Sequence, residues 1–248
     1  MGRALVDLLT TGAGASSSLD EGGVVALSRV DCSDLNMAAL WGDLSDEIAT
    51  GIAEWSGPLL VLASEGAYSA VADRAEAWGI ADLEVGLPVW AVELDPQRLP
   101  AALDSGRVTV VSSPADFDRA RTIVAEANGL ELALVQEAFP EQLLTSSTVT
   151  WYLGWSEGEA VSTIALVRAG ADVSGWCGAT VPHARGRGLF NELVLETARL
   201  QAESGARRFL GITEAVASGR TAEKFGGVEL DRAHVFIRGT SVGELLQG

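Results

Sequence analysis

The stretch 173–202 constrains the fold of this chain more than any other, because a strand, a turn and a helix follow one another there without a spare residue. Residues 173–181 include Val, Trp and Thr and end before Pro182, which is the pattern of a β-strand. Gly186 and Gly188 then allow a tight turn with backbone angles that other residues rarely adopt. The stretch therefore predicts a strand that runs directly into a turn.

An amphipathic helix is predicted to follow this turn and to begin near Gly188. At about 100° per residue, the apolar side chains fall on one half of its surface. They are Leu189, Phe190, Leu193, Val194, Ala198 and Leu200. The charged side chains form a narrow stripe on the opposite side, made of Glu192, Glu196, Arg199 and Glu203. A helix with one apolar half packs that half on a sheet, so the chain is expected to be an α/β protein.

The turn is a candidate phosphate site. A glycine-rich turn before a helix N-terminus aims several free N–H groups and the positive end of the helix dipole at one point. Arg185 and Arg187 add positive charge there, in a chain whose formal net charge is −17. These features predict a phosphorylated ligand, although two arginines in a solvated loop would give the same sequence.

Two better-known glycine motifs do not fit these residues. A dinucleotide fingerprint needs a third glycine three residues after Gly188, where Asn191 stands. A Walker loop needs a Gly-Lys pair, and the only lysine of the chain is Lys224. The phosphorylated ligand is therefore expected to be neither a Rossmann-bound dinucleotide nor a P-loop nucleotide.

The segment Arg185-Gly186-Arg187-Gly188, preceded by Val-Pro and followed by the predicted helix, resembles the pyrophosphate-binding segment of the GNAT superfamily of acyl-CoA N-acyltransferases. The family pattern is Arg or Gln, two residues, Gly, one residue, then Gly or Ala. Arg185 and Gly188 match this pattern, and Phe190 departs from it. Residues 219–227 resemble the late helix of the family, which ends in Tyr-Glu-Lys-Leu-Gly-Phe.

The order of predicted elements in the second half of the chain extends this resemblance to residues 108–238. Strands are predicted at 108–111, 148–155, 160–169, 173–181 and 208–213, with further strands within 228–238. Helices are predicted at 113–127, 131–138, from 188 onward, and at 218–225. The resulting order, β-α-α-β-β-β-α-β-α-β, is that of the GNAT fold, with a mixed sheet. A GNAT domain is therefore expected at 108–248.

Residues 1–107 are expected to form a smaller, degenerate GNAT-like α/β domain, so that the chain resembles a tandem GNAT protein. Strands are predicted at 24–30, 59–63 and 83–94, the last interrupted at Pro88, and helices at 46–55 and 67–78, while 35–41 is ambiguous. A connector rich in turn residues at 95–107 marks the expected boundary. This half contains no Arg-x-x-Gly turn.

Composition limits the location and the partners of the protein. No apolar run approaches the roughly 20 residues of a membrane span, and the N-terminus is too acidic for a secretory signal, so a cytoplasmic location is expected. Cys32 and Cys177 are too far apart in sequence to indicate a disulfide framework or a metal site. The charge of −17 argues against nucleic acid and anionic membranes as partners, and it suits an amine substrate or simply solubility.

The resemblance implies acetyl-CoA as the co-substrate and a site between two splayed parallel strands. The splay is expected between the strand that ends at Val181 and the strand that ends near Glu214. Ala179 and Val181 would offer backbone groups to the pantetheine arm, and the N–H of Val181 would polarise the thioester carbonyl. The pyrophosphate would be held by Arg185, Gly186, Arg187, Gly188 and Leu189.

The catalytic groups follow less directly from the resemblance. Glu214 is the candidate base, directly or through water, although a carboxylate at this place can equally cap the next helix. Many family members carry a tyrosine that protonates the leaving thiolate where this chain has Ala222. Ser218 and Thr213 are the nearest hydroxyls in sequence. We therefore expect an N-acetyltransferase acting on a small-molecule amine or an exposed amino group. The alternatives are a non-catalytic acyl-CoA-binding sensor or interaction module, and an enzyme for a longer acyl group.

Overall fold

A computed structural model describes residues 16–28, 36–95, 97, 99, 107–212, 219 and 222–239. Its strands are β1 (Ser16–Leu19), β2 (Gly23–Leu27), β3 (Asn36–Leu40), β4 (Leu59–Ser64), β5 (Ala81–Glu93), β6 (Val108–Val110), β7 (Val149–Ser156), β8 (Glu159–Ala169), β9 (Asp172–Thr180), β10 (Arg208–Ile212) and β11 (Val228–Arg238). Its helices are α1 (Asp46–Glu54), α2 (Tyr68–Ala72), α3 (Ala75–Trp78), α4 (Pro114–Asn128), α5 (Leu132–Ala138) and α6 (Leu189–Glu203). Short 3-10 helices cover Glu141–Thr145 and Pro182–Ala184.

The chain divides into two units. The first unit contains the described residues between 16 and 89 together with Ile212 and residues 229–239. The second contains the described residues between 90 and 211 together with 219 and 222–228. Both units thus combine stretches from either side of residue 107, where the sequence predicts the domain boundary.

In the first unit the strand order is β1-β2-β3-β4-β11-β5, with residues 81–89 of β5. β3 and β4 are parallel and are joined through α1, while β11 runs antiparallel to β4 from Ala233 opposite Ser64 to Arg238 opposite Leu59. The apolar sides of the strands and helices enclose a core that includes Ile48, Val61, Trp78 and Phe236. The last strand of the described residues therefore completes the sheet of the first unit.

In the second unit the strand order is β5-β10-β9-β8-β7-β6, with residues 90–93 of β5. Each of β6, β7 and β8 pairs antiparallel with the strand that follows it in the sequence. β9 and β10 are parallel and are joined through α6. α6 buries Leu189, Leu193 and Ala198 against the sheet, as its predicted apolar half requires. The predicted antiparallel strands at 148–155, 160–169 and 173–181 are thus confirmed as β7, β8 and β9, and the helix predicted after Gly188 is confirmed as α6.

Three predictions for individual elements are wrong. β5 runs through Pro88 without interruption, because proline fixes a backbone angle that an extended strand tolerates and removes only one donor. The helix predicted at 67–78 is two short helices, α2 and α3, although it ends at Gly79 as predicted. The strands predicted within 228–238 are one continuous strand, β11.

Among the helices of the described residues, none combines the length and the apolar composition needed to cross a membrane.

Candidate functional site

The parallel strands β9 and β10 separate after three residue pairs. The paired positions are Arg208 with Asp172, Phe209 with Val173, and Leu210 with Ser174. The first pair is reinforced by a bidentate ion pair, in which the Arg208 guanidinium donates to both carboxylate oxygens of Asp172 at 2.8 and 2.9 Å. β9 continues to Thr180, but no described residue of β10 pairs with it beyond Ser174. The two strands are thus paired at their N-terminal ends, and their described C-terminal parts are unpaired with each other. We call this unpaired end the open end of the β9–β10 pair.

A β-bulge in β9 lies on the open side of this pair. Thr163 of β8 is opposite Ala179 and Ala165 is opposite Trp176, so two residues, Cys177 and Gly178, face one residue of β8. Cys177 has a φ of 52°, the left-handed conformation that glycine usually adopts at the first position of such a bulge. A bulge bends its strand, and this one lies beyond the last described pair of β9 with β10.

The backbone of Val181 faces β8. Its N–H donates to the carbonyl of Val161 at 3.0 Å, so it is not available to polarise a thioester carbonyl. Backbone groups alternate in direction along a strand, so those of Ala179 also face β8. The pantetheine contacts predicted for Ala179 and Val181 stay a prediction, although the Val181 N–H already has a partner in β8. The backbone groups of Thr180, which alternate with those of Val181, face away from β8.

The glycine-rich turn has the conformation that its sequence predicts. Gly186 and Gly188 have φ values of 74° and 77°, and nothing lies within 4 Å of where a Cβ would stand on either. The glycines are thus required by the backbone angle, and the space above them is open. The first helical bond of α6 runs from the N–H of Glu192 to the carbonyl of Gly188 at 3.1 Å. The N–H groups of Leu189 and the next two residues precede that bond and have no partner within the helix.

The two arginines of the turn have different surroundings. Arg185 donates from Nε to the carbonyl of Thr180 at 3.1 Å and from Nη2 to the carbonyl of Ala127 at 2.6 Å. Ala127 lies in the last turn of α4, so Arg185 ties the turn both to the end of β9 and to a helix C-terminus. Among the described residues, Arg187 bonds to the end of β7 and the turn after it, with Nη2 at 3.1 Å from Ser156 Oγ and 3.5 Å from Glu157 Oε1. Arg187 is therefore the more readily released of the two.

Two carboxylates lie near His183, two residues before the glycine-rich turn begins. The ring nitrogens of His183 lie 4.0 Å from a carboxylate oxygen of Glu126 and 3.8 Å from one of Glu159, and all three side chains are at least half exposed. Within the described ranges, no group of three or more His, Cys, Asp or Glu residues is arranged to hold a metal ion.

The predicted catalytic residues Glu214 and Ser218 lie outside the described residues, as does Thr213, and their roles stay predictions. Ala222 is described and belongs to a helical turn at 222–224. Its carbonyl accepts from the N–H groups of Phe225 and Gly227 at 3.1 and 2.8 Å. The turn ends at Gly226 with a φ of 76°, where the resemblance places the family glycine.

The corresponding place in the first unit is occupied by a carboxylate. Ser45 caps α1 by accepting from the N–H of Ile48 at 3.2 Å, and its hydroxyl donates to Asp20. That bond, together with bonds from the N–H groups of Gly22 and Gly23, lowers the pKa of Asp20 against the opposing effect of burial. β3 stays paired with β4 up to Leu40, its last residue. A helix N-terminus that already faces an anion, beside an unsplayed strand pair, does not suit a phosphorylated ligand.

Sequence reasoning missed the role of Gly178, although a signal was present. An isolated glycine within a strand pattern indicates a bulge or a close approach of another group. At Gly178 both are found, since the Phe190 ring lies where its side chain would be. The contact of Arg185 with Ala127 joins residues 58 positions apart in the sequence, and no local sequence pattern predicts it.

Comparison with known proteins gives a fold but no near relative. No family model matches the sequence, and no curated protein matches it. The structure is similar to a GCN5-related N-acetyltransferase from Kribbella flavida, with a TM-score of 0.64 and 18% identity over 98% of this chain and 96% of that one. It is also similar to a GCN5-related N-acetyltransferase from Sphaerobacter thermophilus, with a TM-score of 0.54 and 15% identity over 95% and 91% of the two chains.

A tandem GNAT protein from the clavulanic acid biosynthesis pathway is a third similar structure, with a TM-score of 0.52 and 14% identity over 97% of this chain and 95% of that one. These similarities extend over both units. The chain therefore has the fold of the GNAT acyltransferases, as the sequence predicts. The repeated arrangement of a parallel strand pair around a helix, β3–α1–β4 and β9–α6–β10, agrees with a tandem architecture.

Proposed function

We propose that this protein is an N-acetyltransferase that moves an acetyl group from acetyl-CoA to the amine of a small molecule or to an exposed amino group. The observation that carries the proposal is the open end of the β9–β10 pair, which leads through Thr180 into the glycine turn and α6. In a GNAT fold this is where an extended acyl donor fits, with its backbone-like arm along β9 and its phosphates at the helix N-terminus. The proposal includes a cytoplasmic location.

The backbone of the open strand supplies the donor contacts in this proposal. The Thr180 N–H is directed away from β8, because it alternates with that of Val181, and it is the group proposed to pair with an added extended chain. The Thr180 carbonyl already accepts from Arg185 Nε. An N–H fixed in a strand at this place is a preorganised donor for the carbonyl oxygen that gains negative charge during acyl transfer. The phosphates are assigned to the free N–H groups at the start of α6 and to Arg187.

Acyl transfer also requires two proton movements. The attacking amine must lose a proton, and Glu214 is the proposed base, directly or through water. The departing thiolate must gain one, and Ser218 or a water molecule is the proposed source. The net charge of −17 favours a cationic acceptor over nucleic acid or an anionic membrane.

Ala222 favours a second candidate function, a non-catalytic acyl-CoA-binding sensor or interaction module. A methyl side chain cannot protonate sulfur, and the family resemblance places a tyrosine at this position. The two candidates share the donor site and differ only in turnover.

One pair of measurements tests both. Calorimetry with acetyl-CoA at millimolar concentration is expected to show binding by the unmodified chain. Thiol release from acetyl-CoA is then followed with a panel of amines, with and without each amine. Absence of binding overturns both candidates. Binding without thiol release above the amine-free rate, for any amine, favours the sensor, and amine-dependent release favours the enzyme.

A further inference from the structure

Phe190 stands where the family resemblance calls for glycine or alanine, and its ring packs under the bulge of β9. A Cβ built on Gly178 would lie 2.5 Å from Cζ and 2.9 Å from Cε2 of this ring, which is closer than the 3.0 Å that such contacts allow. The Phe190 ring therefore occupies the space that a side chain at position 178 would need. Its size and the absence of a side chain at Gly178 are complementary.

This contact joins the two parts of the donor site. Phe190 is the second residue of α6, so its N–H is one of the free groups at the helix N-terminus. Its ring touches Gly178, one of the two bulge residues of β9. The half-buried ring also packs against a core cluster that includes Ile164 and Leu193, which limits its movement. A single side chain thus fixes the helix start against the bulge.

We propose that Phe190 is a positioning residue for the acyl donor. Its contact with Gly178 sets the spacing between the backbone groups that face the pantetheine arm and the N–H groups that face the pyrophosphate. This inference rests on the proposed acetyl-CoA site. Its consequence is specific to ligands that reach both parts, because only such ligands depend on the spacing.

The test compares two ligands, CoA and adenosine 3′-phosphate 5′-diphosphate, which is the nucleotide half of CoA. Phe190→Ala is expected to weaken CoA binding on the order of tenfold, the change that corresponds to the loss of about one hydrogen bond. Affinity for the nucleotide half is expected to change much less. Phe190→Leu is expected to retain part of the affinity for CoA.

Phe209→Ala is the matched control. The Phe209 ring lies 3.2 Å from where a Cβ of Gly175 would stand, so it also covers a glycine of β9. Phe209 is, however, in the part of β10 that still pairs with β9. Its loss is expected to lower the melting temperature without separating the affinities for the two ligands.

A size exchange between the partners completes the test. Gly178→Ala alone is expected to weaken CoA binding, because the new methyl group displaces the ring, and Gly178→Ala combined with Phe190→Ala is expected to restore part of it. Equal losses for CoA and the nucleotide half in Phe190→Ala, or no loss for either, overturn the inference while leaving the donor site in place. A wild-type chain that binds neither ligand overturns the donor site and the inference together.

Discussion

Replacing Arg185 and Arg187 by alanine is expected to separate the stability of the glycine turn from its affinity for phosphate. Arg185 donates to the carbonyls of Thr180 and Ala127, the latter at the C-terminal end of α4. A sheltered hydrogen bond from a charged donor contributes about 1.5–3 kcal/mol, and a cation at a helix C-terminus about 0.3–1 kcal/mol. Because Arg185 is exposed to water, we expect its removal to cost about 1–2 kcal/mol in total. For a chain of this size, that lowers the melting temperature by about 2–8 °C.

Arg187 is expected to behave in the opposite way. Its contacts with Ser156 and Glu157 are long and solvent-exposed, and surface contacts of this kind contribute about 0–1 kcal/mol, so Arg187→Ala should hardly change the melting temperature. If the guanidinium turns to a phosphate when the donor binds, its loss removes about 1.5–3 kcal/mol of affinity. That energy corresponds to an increase in Kd of about 10- to 150-fold.

Thermal unfolding followed by circular dichroism, and calorimetric titration with acetyl-CoA at one fixed salt concentration, measure the two effects. Arg185→Lys is the control, because one ammonium group is not expected to satisfy both carbonyls. A melting temperature that falls as far in Arg187→Ala as in Arg185→Ala refutes the assignment of the structural contact to Arg185. An unchanged Kd in Arg187→Ala refutes its role in phosphate binding.

Three further predictions concern the fold, two of them in the first unit and one at the bulge of β9. The Arg238 guanidinium donates to the carbonyls of Ile52, Trp55 and Trp78. Because these carbonyls would lose their charged partner, Arg238→Met is expected to lower the free energy of unfolding, measured in urea, by about 2–4 kcal/mol. Burial lowers the pKa of Arg238, and Arg238→Lys should recover only part of the loss. Bonds from Ser45, Gly22 and Gly23 hold the pKa of Asp20 in the folded chain below its ordinary value of 3.8. The ionised carboxylate therefore contributes its full stabilisation at a pH above 3.8, and this stabilisation is lost as the pH falls through the lowered pKa of the folded chain. Asp20→Asn should remove this dependence in thermal unfolding measured across the acid range, and a pH profile identical to that of the parent would contradict it. Cys177→Val is expected to lower the free energy of unfolding by about 1–3 kcal/mol, because the φ of 52° at this position disfavours a β-branched residue. Cys177→Gly is expected to be tolerated. Equal stability of the two variants would contradict this interpretation of the bulge.

Local signals in the sequence predicted much of the second unit. Ser113 caps α4 by accepting from the N–H of Asp116 at 3.2 Å, as the Ser-Pro-x-Asp pattern indicates. The turn at 157–158 joins β7 and β8 with a positive φ at both residues, where the sequence has Glu157 and Gly158. These features depend on neighbours a few residues away, and such neighbours are visible in the sequence.

Features that depend on distant partners could not be predicted. The turn and helix of the candidate site were predicted, but which backbone groups of β9 face outward depends on its register with β8 and on the extra residue at Cys177 and Gly178. A strand's own sequence does not state that register. The same limit applies to β11, whose pairing with β4 joins positions about 170 residues apart.

The place of β11 has a consequence for how the protein is made. During synthesis β4 has β3 beside it early, but its other edge stays without β11 until the ribosome has produced residue 238. The unpaired N–H and C=O groups of a strand edge can pair with other chains and cause aggregation. The newly made first half of the chain is therefore expected to need protection from aggregation while the second half is translated. For the same reason, cutting the gene in the middle should not give two independent proteins. A peptide carrying residues 228–239, supplied separately, should instead be able to complement a chain that ends before them.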